Sequence, residues 1–380
     1  MIIKFLRKSW FNIIGLLILC GVSFGAGWWV NERSGNPNEN LIKAAYREIS
    51  RNSFFNQQSG QALSYAAIRG MLSTINDPYA AFIEPQAAQN FSSTFSGKTG
   101  VVGLYTSINA KQVVISIVYP NGAADQAGLK VGDVLLAIDG KNLDQTSNSS
   151  ETGLLMRGVP GTSVHLTIQR AGQVHEYDLV RKEQVFVTSR ILPSGIGYIS
   201  LSAYNQTASQ QMKQGLESLL QQKPVGLIWD LRNNEGGDMQ AAQEILSYFI
   251  KDGLLFTAQL TGNRTIEFQA KGGAIAGDIP LVVLIDKTTY SAAETSAAAI
   301  ADTGRGTTIG ATTFGKGVIQ STMSLPNDTM LQMTIAKWLS PKGTWSQGKG
   351  VSPQIEASND PATNTDEILE KAVEFLLAKK

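Results

Sequence analysis

The chain has 380 residues, 43 % of them apolar, a content typical of a globular protein and a length that exceeds one ordinary hydrophobic core, so two or more folded units are expected. Its 32 basic and 31 acidic side chains leave a formal net charge of +1, which lacks the basic excess of a nucleic-acid binder. A lone cysteine, Cys20, excludes an intramolecular disulfide framework.

Lys4, Arg7 and Lys8 precede an uncharged, mostly apolar run from Trp10 to Val30. Roughly 20 residues cross a bilayer core, so the run is long enough to span one. Trp10 and the pair Trp28-Trp29 suit the two interfaces, and the basic flank belongs on the cytoplasmic side. A cleaved signal peptide is the alternative; Gly25-Ala26-Gly27 is the nearest approach to a cleavage site, and Leu19 before Cys20 does not suit a lipoprotein. Residues 1–35 are therefore expected to be a single-pass cell-membrane anchor, or a signal peptide, plus the start of a linker. Either reading puts the chain beyond residue 35 outside the cytoplasm.

A helical pattern runs from Leu41 to Ile75 and breaks at Asp77-Pro78, making 36–96 a helical region. Residues 97–185 carry strand patterns at Val113–Val118, Val134–Ile138, Val164–Gln169 and His175–Val180. Turn signals fall at Pro120-Asn121-Gly122, Asp139-Gly140 and Ala171-Gly172, and a short helix at Ala123–Ala127 is stopped by Gly128. From 186 to 356 strands and helices alternate, as in an α/β layer with parallel strands. The strands are Ile196–Leu201, Val225–Leu231 and Leu281–Ile285; the helices are Ala208–Gln221, Met239–Ile250 and the alanine-rich Ser291–Asp302. Residues 357–380 close with an amphipathic helix, Glu367–Leu377.

The stretch from Ala123 through Gly128-Leu129-Lys130-Val131-Gly132-Asp133 into Ile138-Asp139-Gly140 resembles a PDZ domain. Val101-Val102-Gly103-Leu104 then looks like its peptide-binding loop, whose backbone N–H groups hold a terminal carboxylate while the peptide adds a strand to the sheet edge. A valine-rich strand with one glycine bulge is the alternative for those four residues.

Residues 40–356 as a whole resemble the carboxyl-terminal processing, or tail-specific, proteases of serine peptidase family S41. The matching blocks, in order, are Asp77-Pro78-Tyr79, the PDZ-like unit, Asp230-Leu231-Arg232-Asn233-Asn234, Ser291-Ala292-Ala293-Glu294, Thr313-Phe314-Gly315-Lys316-Gly317 with Gln320, and Gly348-Lys349-Gly350-Val351. The resemblance implies a crotonase/ClpP-like α/β core with an inserted PDZ domain. Two positions depart from the family pattern: Glu235 stands where proline is usual, and Ala293 replaces a common serine.

The only histidines, His165 and His175, lie in the PDZ-like unit, so the α/β part can build neither a Ser-His-Asp triad nor a histidine metal centre. Ser291 with Glu294 reads locally as a helix capping box. The same position places its hydroxyl among unpaired helix N–H groups that suit an oxyanion. Gly310-Ala311-Thr312-Thr313-Phe314-Gly315-Lys316 has P-loop spacing, but Gly317 comes next in place of Ser or Thr, and Val318-Ile319-Gln320 reads as strand rather than helix. Lys316 alone reads as an exposed turn lysine.

The resemblance instead implies Ser291 as nucleophile, Lys316 as general base and Gln320 as its orienting partner. Such a base needs a pKa brought down by burial, from about 10.4 by roughly 3 units. Oxyanion donors would be Ala292 N–H with Gly236 or Gly237, although Asp238 as N-cap explains that glycine pair equally well. Asp230 and Arg232 read as a structural ion pair.

The function expected is endopeptidase cleavage near the C-termini of extracytoplasmic proteins, with peptide tails as partners, the N-terminal helix in the membrane, a homo-oligomer left open, and no metal or cofactor. The alternative is a membrane-tethered PDZ adaptor on an inactive scaffold.

Overall fold

A computed structural model describes residues 36–55, 58–95, 99–119, 122–143, 149–183, 185–360, 362–363 and 365–379. The expected anchor at 10–30, and Pro120 and Asn121 of one expected turn, lie outside the described residues. Among the described residues no helix is long and apolar enough to cross a membrane.

The described chain divides into two compact units, with the boundary between Thr74 and Ile75. In the first, the single helical run expected from sequence is two helices, Pro37–Asn52 and Gly60–Leu72. Local chemistry favours the break. Ser53 is extended and ends the first helix, while the Ser59 hydroxyl accepts the Ala62 N–H (3.1 Å) and starts the second. Tyr46 Oη donates to the Gly60 carbonyl (3.0 Å) and ties the pair together.

The second unit contains residues 75–95, with strand Ala81–Ile83 and helix Pro85–Phe95. The part that resembles a PDZ domain is an antiparallel sheet in the order 104–109, 112–118, 134–138, 163–170 and 173–180, with helix Ser149–Met156 against its first strand. His165 sits half-buried on strand Ser163–Arg170, opposite the face that buries Val164, Leu166 and Ile168, its Nδ1 2.8 Å from Asp178 Oδ1.

The α/β core is a six-stranded sheet in the order Val187–Ile191, Gly197–Leu201, Leu227–Asp230, Leu281–Ile285, Thr307–Gly310 and Ile355–Glu356. Only its first pair is antiparallel. Alternation splits the side chains between two cores. Leu227, Trp229, Val283 and Ile285 face helices Gln206–Gln221, Met239–Ser247 and Ala292–Asp302. Ile228, Val282, Leu284 and Ile309 face the C-terminal helix Glu367–Leu377 through Ile368, Ala372 and Leu376. Strands buried on both faces read as continuous apolar runs, which is why they were visible in the sequence.

A second, antiparallel sheet was not foreseen. Its long strand Thr329–Leu339 pairs with Ala81–Ile83, Leu254–Leu260 and Val318–Leu325, and Thr265–Gln269 lies at its edge. This sheet carries the segment after Lys316, while the parallel sheet carries Ser291. Arg232, 2.6 Å from Asp230 and 2.7 Å from Asp366, pins the C-terminal helix to the core.

Candidate active site

Ser291 stands between strand Leu281–Ile285 and helix Ala292–Asp302, at φ +60° and ψ −122°. A non-glycine residue persists there only when its surroundings over-determine it, at a cost of about 1–3 kcal/mol. The restraints are on both sides. Thr289 Oγ1 donates to the Leu231 carbonyl (2.8 Å), and Tyr290 N–H donates to the Asn234 carbonyl (2.8 Å). On the other side a helix of mostly alanine, serine and threonine fits entirely into the core, with every residue from Ala292 to Ile300 buried.

The buried Glu294 carboxylate joins the two halves of the site. Its Oε2 accepts the N–H groups of Ser291 and Lys316, both at 2.8 Å. Its Oε1 accepts Thr313 Oγ1 and the Gly315 N–H, both at 2.6 Å. Burial pushes this carboxyl's pKa upward, and the four donors pull it back.

Lys316 is held between glycines that permit backbone contact on both sides. A Cβ on Gly315, at φ +96°, would meet Gly350 N at 3.0 Å, and one on Gly317 would meet Trp345 Nε1 at 2.5 Å. The lysine is not an exposed turn residue: its Nζ lies 4.8 Å from the Tyr79 ring centre and 5.1 Å from that of Tyr290. Burial brings its pKa down from 10.5 to about 8, against the attraction of Glu294, Glu235 and Asp77.

Gln320 faces Thr334 after a register shift at Ile319. Its Nε2 approaches Thr334 Oγ1 at 3.4 Å, and that hydroxyl donates to Asp77 Oδ1 (3.0 Å). No hydrogen bond joins Lys316 Nζ to either Ser291 Oγ or Gln320 among the described residues. The three segments converge without a hydrogen bond between these side chains.

The loop after strand Leu227–Asp230 lies against Ser291. A Cβ on Gly236, at φ +81°, would stand 2.7 Å from Ala292 N, Ser291 Cβ and the Tyr290 carbonyl. The two glycines differ in one decisive respect. Gly236 N–H already donates to Asn234 Oδ1 (2.8 Å), whereas the N–H groups of Gly237 and Ala292 have no partner among the described residues. Asp238 does cap the next helix, its Oδ1 accepting the Ala241 N–H at 2.7 Å.

A cavity of about 240 Å³ is lined by Glu235, Gly236, Gly237 and Tyr290. It adjoins a groove of about 460 Å³ lined by Val101, Val102, Gly103 and Leu104. Arg157 and Glu235 line both spaces and lie 3.8 Å apart. Tyr119 Oη, from the PDZ part, donates to the Asn233 carbonyl (3.1 Å) and approaches Glu235 Oε1 at 3.3 Å. Burial raises the Glu235 carboxyl well above the ordinary carboxylate range, with Lys316 pulling in the opposite direction.

The family model of peptidase family S41 matches residues 195–357, and that of a PDZ domain matches 114–170. The carboxyl-terminal-processing protease of Synechocystis sp. PCC 6803 is 33 % identical over 81 % of this chain and 74 % of its own length. The chain belongs to the carboxyl-terminal processing proteases of family S41. The carboxy-terminal processing protease CtpB of Bacillus subtilis is 30 % identical over 83 % of this chain and 66 % of its own length. The solved photosystem II D1 C-terminal processing protease superposes with a TM-score of 0.65 at 26 % identity, covering 89 % of this chain and 97 % of that one.

Within this S41 chain, sequence reasoning missed four groups that shape the site. Glu294 read only as a capping residue, yet it binds both the Ser291 and the Lys316 segments. Tyr290, Tyr119 and Arg157 carried no local signal. Tyr79 did carry one, within Asp77-Pro78-Tyr79, but nothing local told which residue it would meet.

Proposed function

We propose that this S41 protein is a serine endopeptidase that cleaves near the C-termini of extracytoplasmic proteins, using Ser291 and Lys316 with Gln320 in support. One observation carries the reading: the buried Glu294 carboxylate accepts the backbone N–H of both Ser291 and Lys316, and the burial of Lys316 brings its pKa down to about 8. A lysine with that pKa is part neutral at physiological pH and able to accept a proton.

In this mechanism a substrate tail lies in the groove at Val101–Leu104, its carboxylate on the loop N–H groups. Neutral Lys316 Nζ takes the Ser291 Oγ proton as Oγ bonds to the scissile carbonyl carbon. The oxyanion is held by the N–H groups of Ala292 and Gly237, with Gly236 supplying the close approach. The Lys316 ammonium then protonates the leaving amine, the C–N bond breaks, and water activated by Lys316 releases the acyl group. Substrate binding draws Ser291 Oγ and Lys316 Nζ into contact; such bonds are commonly longer in unliganded enzymes. The same reading takes the core as crotonase-like and the run at 10–30 as the tether that keeps the protease outside the cytoplasm.

The lack of a Ser291–Lys316 hydrogen bond among the described residues favours one competitor, a non-catalytic peptide-binding adaptor. Incubating the protein with peptides that differ only in their C-terminal residues, and following cleavage by mass spectrometry, separates the two. Cleavage that disappears in Ser291→Ala and in Lys316→Ala supports the peptidase. Tight tail binding without cleavage in the unaltered protein supports the adaptor.

A further inference from the structure

The Asp77-Pro78-Tyr79 segment comes from the start of the second unit, yet it reaches the lysine and the glutamine of the site. Asp77 is fixed to strand Thr329–Leu339: its Oδ2 accepts the Thr334 N–H (2.8 Å) and its Oδ1 accepts Thr334 Oγ1 (3.0 Å). The same Oδ1 accepts the Tyr79 N–H (3.0 Å), and Gln332 Nε2 approaches the Tyr79 carbonyl at 3.4 Å. Tyr79 is thereby clamped with its ring toward Lys316. Tyr290, adjacent to Ser291 and edge-on to Phe314 at 5.1 Å, supplies the second ring.

We propose that Tyr79 and Tyr290 are positioning residues that cage Lys316 and stabilise its ammonium form during proton transfer from Ser291. This inference rests on the Ser–Lys reading above. An aromatic face attracts an ammonium through its quadrupole and does little for a neutral amine. The cage therefore acts on the state that exists once lysine has taken the serine proton, which is the differential stabilisation that accelerates a step. The two rings also exclude water without leaving the charge in a purely apolar box. Three carboxyl groups face the same lysine: Glu294 from the nucleophile helix, Glu235 from the loop beside it, and Asp77 from the clamp. The rings and these carboxyl groups act on the same ammonium, so lysine basicity is set by both.

The test substitutes Tyr79→Phe and Tyr79→Leu, with Tyr290→Phe and Tyr290→Leu as a second pair should one leucine variant fold poorly. Phenylalanine keeps the face, and leucine keeps only the apolar bulk. NMR titration of protein carrying 13Cε-labelled lysine, with Lys316 assigned by loss of its signal in Lys316→Met, reads the lysine without any need for turnover. The leucine variants should lower its pKa by about half to one and a half units, and the acid limb of kcat/KM should move down with it. The phenylalanine variants should stay with the unaltered protein. An unchanged or raised Lys316 pKa in the leucine variants overturns the cage. If the pKa falls as expected but the unaltered protein cleaves no peptide, the cage stands and the peptidase reading fails.

Discussion

Replacing Glu294 by glutamine should damage stability and catalysis together, because one carboxylate serves four donors. An amide offers one oxygen in place of two, so two of the four donors must face an NH2 group. The less costly orientation keeps the oxygen on Ser291 N–H and Lys316 N–H and turns the NH2 toward Thr313 and Gly315. Thr313 Oγ1 can reverse to accept, since it already accepts the Val351 N–H (2.7 Å) and retains a second lone pair. Gly315 N–H cannot reverse. One orphaned buried N–H costs about 1–3 kcal/mol, and the remaining bonds lose their charge assistance. The expected loss is about 2–4 kcal/mol, from a total that is commonly about 5–15. Urea unfolding followed through the buried Trp229 and Trp338 measures it as a shift in midpoint at constant slope. Movement of the Gly315–Lys316 segment should also lower kcat by about tenfold or more, the equivalent of roughly 1.4 kcal/mol in the barrier. Glu294→Ala orphans all four donors and should be worse on both counts. Unfolding midpoints equivalent to the unaltered protein within about 0.5 kcal/mol, with kcat within a factor of about two, would refute this account of Glu294.

As the proposed base Lys316 acts in its neutral form, so kcat/KM should rise about tenfold per pH unit below a pKa of about 8 and level off above it; a profile flat between about pH 6 and 9 would exclude lysine as the base. The same lowered pKa makes the native state bind fewer protons than the unfolded chain between about 8 and 10.5, so stability should rise with pH across that window. Lys316→Met should accordingly stabilise the fold by about 1–3 kcal/mol at pH 7, with the gain fading toward pH 10.5 and activity abolished, as calorimetry and peptide assay would register. Gly236→Ala places a methyl group 2.7 Å from Ala292 N and Ser291 Cβ, so kcat should fall by about a hundredfold or more while the PDZ part keeps its peptide affinity; normal turnover would show that this loop does not shape the oxyanion site.

Much of the scaffold was legible because burial on both faces writes itself into composition. Strand Leu281–Ile285 and helix Glu367–Leu377 have the limits that apolar runs and helical periodicity indicated. Strand Thr329–Leu339 was not legible: its partners lie far away in sequence, and most of its side chains are half-buried, which blurs the alternation. The helical run before Asp77 was divided by capping at Ser59, a local signal outweighed by the apolar pattern around it. In the site, Ser291, Lys316 and Gln320 stood out as blocks, whereas the groups that surround them did not. Tyr79 and Lys316 are 316 − 79 = 237 residues apart in sequence, and no periodicity connects such positions. Gly236 and Gly237 differ through Asn234, whose Oδ1 accepts the Gly236 N–H, while the Gly237 N–H has no partner among the described residues. Glu294 shows the limit most plainly: its capping role was readable from Ser-x-x-Glu, but its second face meets a loop 21 residues on.

The central claim is that Ser291 becomes covalently acylated with Lys316 as its base. The most direct measurement is to treat the protein with a serine-reactive sulfonyl fluoride or a peptidyl phosphonate and locate the adduct by peptide mass spectrometry as a function of pH. The mechanism predicts one modified residue, Ser291, labelled faster as pH rises through about 8 and labelled far more slowly in Lys316→Ala. An adduct on another residue, or equal Ser291 labelling with and without Lys316, would contradict it.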